Sequence, residues 1–127
     1  MFQNLDIMQT SAAMARHAGA RQAITATNMA NADTPGYRAM RMAPFADTYR
    51  PQSPDQMKTT RQGHRSVEAA GQPSGVVHAD AEAAPNGNSV SLEQEMVSAV
   101  EIQREHSRAL AIYKHSLDVL RMSIGRR

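Results

Sequence analysis

The sequence predicts an all-α fold: an antiparallel pair of long N- and C-terminal helices, coiled-coil-like, around an irregular middle segment that is partly β or disordered. Three observations carry this expectation. Both ends show the same seven-residue apolar rhythm, the middle shows none, and the changes between the two regimes fall at strong local stop and start signals.

At the front, Met1, Leu5, Met8, Ala12, Ala15, Gly19, Gln22, Ala26 and Met29 follow an alternating four-three spacing. Seven residues nearly close two helical turns, so this spacing keeps one stripe on one face. The helix is expected from about Leu5 to Asn31, within an N-terminal segment 1–33. Alanine dominates it, which favours helix and allows close approach of a neighbour. The string Asn31-Ala32-Asp33-Thr34-Pro35-Gly36-Tyr37 ends it. Pro35 disfavours helical geometry at Thr34, and Pro-Gly suits the centre of a type II turn.

Residues 34–90 read as a turn followed by an irregular linker or arm. Pro44, Pro51, Pro54, Pro73 and Pro85 recur with Gly63, Gly71, Gly75 and Gly87, and long apolar side chains are few. Val76-Val77-His78 has the composition of a short strand and Met40-Arg41-Met42 alternates weakly; the default expectation over Arg38–Asn88 is a mobile linker or extended arm.

The third segment, 91–125, reads as the C-terminal helix. Ser91 and Gln94 have capping-box spacing, and Glu93 and Glu95 suit the positive end of the helix dipole. Gly125 suits a left-handed C′ position, and Arg121, Arg126 and Arg127 complement the negative end. The apolar stripe here is Leu92, Met96, Ala99, Gln103, His106, Leu110, Tyr113, Leu117, Leu120 and Ile124. An antiparallel register places Leu5 against Leu120, Met8 against Leu117, Ala12 against Tyr113, Ala15 against Leu110, Gly19 against His106 and Met29 against Met96. The same register joins Gln22 to Gln103 as a buried amide pair, which fixes alignment at some cost in stability. A two-helix seam buries little for a chain of 127 residues. The isolated chain is therefore expected to be marginal until partners cover its remaining faces. Ile7, Met14, Ile24, Val97, Val100, Ile112 and Val119 lie off the stripe and are expected to meet those partners.

Composition narrows the function classes. The formal net charge is +2, and acidic residues are interleaved with the arginines of the middle, Arg38, Arg41, Arg50, Arg61 and Arg65. A nucleic-acid binder concentrates Lys and Arg on one stripe, so no nucleic-acid partner is expected. There is no cysteine, which excludes disulfides and thiol chemistry. No apolar run approaches the roughly 18 residues of a membrane span, so no direct membrane insertion is expected. The start has no Sec-type signal, so export would need another route.

Candidate chemistry is sparse. His106 and His115 are nine apart and share no face; His17, His64 and His78 have no partner at ligand spacing. Ser107 points away from His106 on a helix, so it forms no nucleophile-base pair. No glycine-rich phosphate loop is present, and the nine methionines form no M-x-x-M cluster. Neither enzyme activity nor a cofactor nor a catalytic or metal site is expected.

One string is too specific for a generic helix stop: Asn28-Met29-Ala30-Asn31-Ala32-Asp33-Thr34-Pro35-Gly36-Tyr37. Asn31 and Asp33 can satisfy freed backbone groups at a helix end. The Pro-Gly turn is expected to direct Tyr37 outward as an anchor. The chain here resembles the rod and hook family of bacterial flagellar axial proteins, with their A-N-x-A-N-x-x-T-P-G-Y pattern. Asn28, Asn31, Asp33, Thr34, Pro35, Gly36 and Tyr37 carry the match, with one extra residue before the first Asn. A second stretch, Pro85-Asn86-Gly87-Asn88-Ser89-Val90-Ser91-Leu92-Glu93-Gln94-Glu95-Met96, resembles the family's G-N-x-V-x-L-E-x-E-M lead-in to the C-terminal helix, with Gln94 where a charged residue is common. The resemblance implies a structural subunit of the basal-body rod in the periplasmic space, exported unfolded through the flagellar type III apparatus. It also implies as partners copies of the chain itself, other rod proteins such as FlgC, and the rod-to-membrane-ring adaptor FliE. The competing expectation is a soluble coiled-coil adaptor or export chaperone that binds one partner helix.

Overall fold

The computed structural model describes residues 2–49 and 75–125, with side chains from Asp6 onward. The expected linker over 50–74, the side chains of Met1 and Leu5, and the C-terminal Arg126 and Arg127 lie outside the described residues. In chain order the elements are α1 (Phe2–Ala30), β1 (Met40–Met42), the single turn α2 (Phe45–Thr48), β2 (Val76–His78) and α3 (Leu92–Ile124).

The two long helices form the predicted antiparallel pair. At 1.5 Å per residue they are about 44 and 50 Å long, so each can accompany the other over most of its length. Cross-links set the direction: Arg21 Nη1 meets Glu105 Oε2 at 2.7 Å, Gln22 Nε2 donates to Gln103 Oε1 at 3.4 Å, and Asn28 Nδ2 donates to Glu95 Oε1 at 3.0 Å. Rising numbers on α1 meet falling numbers on α3.

The middle is more ordered than the linker expectation. β1 and β2 pair antiparallel with Met40 opposite His78, Arg41 opposite Val77 and Met42 opposite Val76, and Ala79 N–H donating to Ala39 O at 2.8 Å continues the ladder. Two three-residue strands are too short to stand alone. This ribbon forms because β1 lies against α1, half-burying Met40 and Met42.

The buried line of each helix is displaced by one residue from the predicted stripe. On α1 it runs through Ser11, Ala18 and Thr25 to Asn28; on α3 it runs through Ile102, Ala109 and Ser116. The predicted positions Gly19, Gln22, Ala26, Gln103 and Leu110 are exposed. Leu92, Met96 and Ile124 are 48%, 55% and 77% exposed. Met8, Ala12, Ala15, Met29, His106, Tyr113, Leu117 and Leu120 are half-buried. The cause is size. Apart from Ile102 and Asn28, the buried line consists of Ser, Ala and Thr, whose small side chains let two helices approach closely. The hydroxyls of Ser11 and Ser116 are satisfied on Met8 O and Ile112 O within their own helices, at 3.0 Å each.

One residue onward is a turn of about 100° on a helix. In antiparallel helices, that step carries both displaced stripes to the same side of the pair. The Gln22–Gln103 hydrogen bond marks the rim where they meet, exposed instead of buried. On the opposite side the ribbon lies against α1, and Ile24, Ser98 and Glu101 line an open groove of about 620 Å³ beside it. The pair therefore has one dressed face. Its other face, carrying Met96, Gln103 and Leu110, is covered by no element among the described residues. Of the residues expected off the stripe, Ile7, Val97, Val100 and Ile112 are exposed, whereas Met14, Ile24 and Val119 are half-buried.

Two local expectations are corrected at the ends of α3. Ser91 is the N-cap, but its side chain makes no capping bond, so the capping box does not form. Gly125 has φ −81°, outside the left-handed region; its N–H closes the last turn on Arg121 O at 2.8 Å.

The signature junction as candidate functional site

The signature string and the lead-in to α3 meet at one end of the helix pair. Asn28, in the last turn of α1, is fully buried. Its Nδ2 donates to Met40 O at 2.7 Å and to Glu95 Oε1 at 3.0 Å. Its Oδ1 accepts from Met40 N–H at 3.0 Å and from the Tyr37 hydroxyl at 3.2 Å. The amide thus uses both of its hydrogens and two acceptor positions. It pairs with β1 as a strand neighbour would, and it ties α1, the ribbon and the first turn of α3 to one point. Tyr37 is consequently half-buried with its hydroxyl turned inward, which corrects the expectation of an outward anchor.

Asn31 and Thr34 build the helix stop. Asn31 Nδ2 donates to Thr27 O at 2.8 Å, and its Oδ1 accepts from Thr34 Oγ1 at 3.3 Å. Tyr37 N–H donating to Thr34 O at 3.3 Å closes the turn centred on Pro35 and Gly36, with Gly36 at φ +73°, where a side chain would be strained. Asp33 is exposed and makes no hydrogen bond among the described residues.

The C-terminal lead-in supplies the other half. Gly87 N–H donates to Ala84 O at 2.7 Å, forming a turn with Pro85 at its second position. This turn brings Asn86 O to Gly36 N–H at 3.0 Å. Gly87 has φ +79°, and a Cβ placed on it would stand 3.3 Å from Gly36 Cα. Two glycines in contact are what let the loops touch. Asn88, 3% exposed, then reaches across: its Nδ2 lies 3.0, 2.7 and 3.0 Å from the carbonyls of Asn31, Ala32 and Thr34. Asn31 O and Thr34 O also accept backbone N–H groups, from Thr34 at 3.1 Å and Tyr37 at 3.3 Å, so Asn88 adds a second donor to these two and supplies one to Ala32 O just beyond the end of α1. Asn88 Oδ1 accepts Val90 N–H at 2.7 Å, which orients the chain into α3. Ser89 completes the contact, donating N–H to Tyr37 O at 3.1 Å and accepting Ala39 N–H on Oγ at 2.9 Å.

The structure therefore unites Asn28, Asn31, Thr34, Gly36 and Tyr37 in one hydrogen-bonded clamp, with Pro35 shaping its turn and Asp33 outside it. Asn88, Ser89 and Glu95 are its missing half. They stand in the second family stretch, but nothing local marks them as partners of residues some fifty or more positions away. Chemically the clamp can hold backbone and little else. Among the described residues no three His, Asp or Glu side chains come close enough to hold a metal ion, and no helix is long and apolar enough to cross a membrane.

Residues 8–38 match the family model for "Flagella basal body rod protein". That span takes in α1 from Met8 and the entire signature half of the clamp. No curated protein and no solved structure matches the chain. The family is structural and not enzymatic, and the match supports a place for this chain among the components of the flagellar basal-body rod.

Proposed function

We propose that this protein is a structural subunit of the proximal rod, of the FlgB type, which polymerises by helix bundling into the periplasmic drive shaft of the flagellum. The observation that carries this reading is the bare face of the helix pair. Large apolar residues recur there at heptad spacing, Met96 at 55% exposed and Leu110 at 49%, while the pair closes itself on small residues. A protein that buries its small residues and exposes its large ones is incomplete alone; a neighbouring helix finishes the core. Residues 1–33, 34–90 and 91–125 act as one axial unit, with the clamp holding the two helices in register. Contacts between subunits are head-to-tail and do not close, which propagates a tube.

An adaptor that grips one helix needs one bare face. Ile7, Val97, Val100 and Ile112 are exposed as well, so more than one neighbour is expected, which favours the tube subunit. The neighbours on this reading are copies of the chain, other rod proteins such as FlgC, and the adaptor FliE. Delivery is through the flagellar type III export apparatus without a Sec signal. Deleting the protein and imaging basal bodies tests the proposal: rods are expected to be absent. Complete rods in the deletion strain would refute it.

A further inference from the structure

The single turn α2 has four residues, too few to persist by itself. Three side-chain contacts seat it and its C-cap, Tyr49, on α1. Tyr49 Oη and Thr10 Oγ1 are 2.8 Å apart. The Phe45 ring meets the His17 ring edge-on, centroids 5.6 Å apart and planes at 64°. Thr48 Oγ1 lies 3.4 Å from His17 Nε2. Phe45 also packs on Tyr49 at 4.9 Å, so the two aromatics seat as a unit.

The Thr48 hydroxyl has one hydrogen, and Pro44 O takes it at 2.7 Å. Towards His17 this hydroxyl can only accept, so Nε2 carries the imidazole hydrogen and Nδ1 holds the lone pair. Nδ1 is buried and has no partner among the described residues. A neutral ring tolerates that arrangement. A protonated ring would put an N–H and a positive charge where nothing accepts them.

The charges around the ring do not remedy this. Arg21, one turn along α1, opposes a second cation, while Glu105 on α3 favours one but is already engaged by Arg21 at 2.7 Å. On α2 the one carboxylate is Asp47, which is exposed. Burial, then Arg21, against the weaker pull of Glu105, holds the His17 pKa below its ordinary 6.5.

We propose that the Phe45–Tyr49 segment is a proton-released latch: it seats on α1 while His17 is neutral, and protonation of His17 lifts it away, delivering the half-buried Phe45 ring to solvent. The sign follows from linkage. The seated form binds the proton less readily than the released form, so seating is complete above the released-state pKa near 6.5. It weakens as pH falls below that, by up to about tenfold in the seated-to-released ratio per pH unit. The inference does not depend on the protein assembling.

The test uses the full chain with fluorophenylalanine at its two phenylalanines, Phe2 and Phe45, the signals assigned through Phe2→Leu. Fluorine spectra are recorded from pH 8 to pH 4.5, with the His17 midpoint followed through its own ring proton. The expected result is a Phe45 signal that moves to its released position at the His17 midpoint while the Phe2 signal shows no transition there. His17→Phe keeps an aromatic ring and His17→Gln keeps a donor, and neither titrates in this range, so the transition should vanish in both. A Phe45 signal already released at pH 8 in the parent, one that never moves, one whose midpoint departs from that of His17, or one that still moves over this range in either variant would overturn the latch.

Discussion

Replacing Asn88 with alanine removes a side chain that ties the turn after α1 to the lead-in of α3. Its two Nδ2 hydrogens are shared among the carbonyls of Asn31, Ala32 and Thr34, and its Oδ1 holds Val90 N–H. Three hydrogens are therefore engaged. At about 1 kcal/mol net each, the loss is about 3 kcal/mol. Thr34 is exposed and Asn31 and Ala32 are half-buried, so water can recover part of it, which sets a floor of about 2 kcal/mol. Asn88→Asp is the sharper probe. It has the same shape, but at neutral pH it aims a carboxylate oxygen at three carbonyl oxygens. It should destabilise by at least about 1 kcal/mol more than alanine, because an unpaired buried charge replaces a missing bond. Protonating that carboxyl restores one donor, so the extra loss should shrink as pH falls. Urea unfolding followed by far-ultraviolet circular dichroism reads both variants. An Asn88→Ala protein within about 0.5 kcal/mol of the parent, or an Asp variant milder than the Ala variant, would refute the role assigned to this side chain.

Gly87→Ala should destabilise more than Gly36→Ala, although both glycines have positive φ. Each loses about 1–2 kcal/mol to the left-handed backbone, and only Gly87 also drives a Cβ to 3.3 Å from opposing backbone; thermal melting of the two variants ranks them. The two faces of the helix pair should also respond oppositely. Ile102→Ala empties a buried site and should cost about 2–5 kcal/mol of stability, whereas Leu110→Asp should leave the free chain within about 0.5 kcal/mol of the parent yet abolish swimming in a motility-plate assay. Normal motility with Leu110→Asp would remove the bare face from the assembly interface.

The long helices were legible because their signals are local. The Ala-rich run, the Thr34-Pro35-Gly36 stop and the acidic first turn of α3 each act within a few residues of the boundary they set. The clamp was legible by half. Asn28, Asn31, Thr34, Gly36 and Tyr37 stand together in one string, but what they hold is Asn88 and Ser89, and nothing local encodes that distance. The turn α2 left almost no trace. Phe45 and Tyr49 have helical spacing, but what seats them is Thr10 and His17 on α1; Thr10 carries no signal in the sequence, and His17 reads there only as a histidine without a partner at ligand spacing. The paired strands were visible only as composition, since three residues each cannot declare a partner.

The one-residue displacement of the stripe is the most instructive difference. On α3 the apolar rhythm follows the large side chains Met96, Leu110 and Ile124 and passes over Ala109 and Ser116, while on α1 the alanine-rich sequence leaves the phase between Ala18 and Gly19 weakly marked. The physics of a two-helix contact weighs them otherwise. Two backbones gain dispersion contact by approaching closely, and small residues permit that approach. Large residues then gather along the rim, where two helices cannot cover them. A heptad rhythm reports that a face requires burial, and it does not say which chain provides it. In a single globule those two questions have one answer. In a subunit that completes its core with its neighbours they separate. Both displaced stripes rotate to the same side of the antiparallel pair, with Gln22 and Gln103 bonded along their shared rim. They form one continuous surface rather than two scattered errors of phase, and on the proposed assembly the rhythm of each helix is the imprint of a neighbouring helix packed between them.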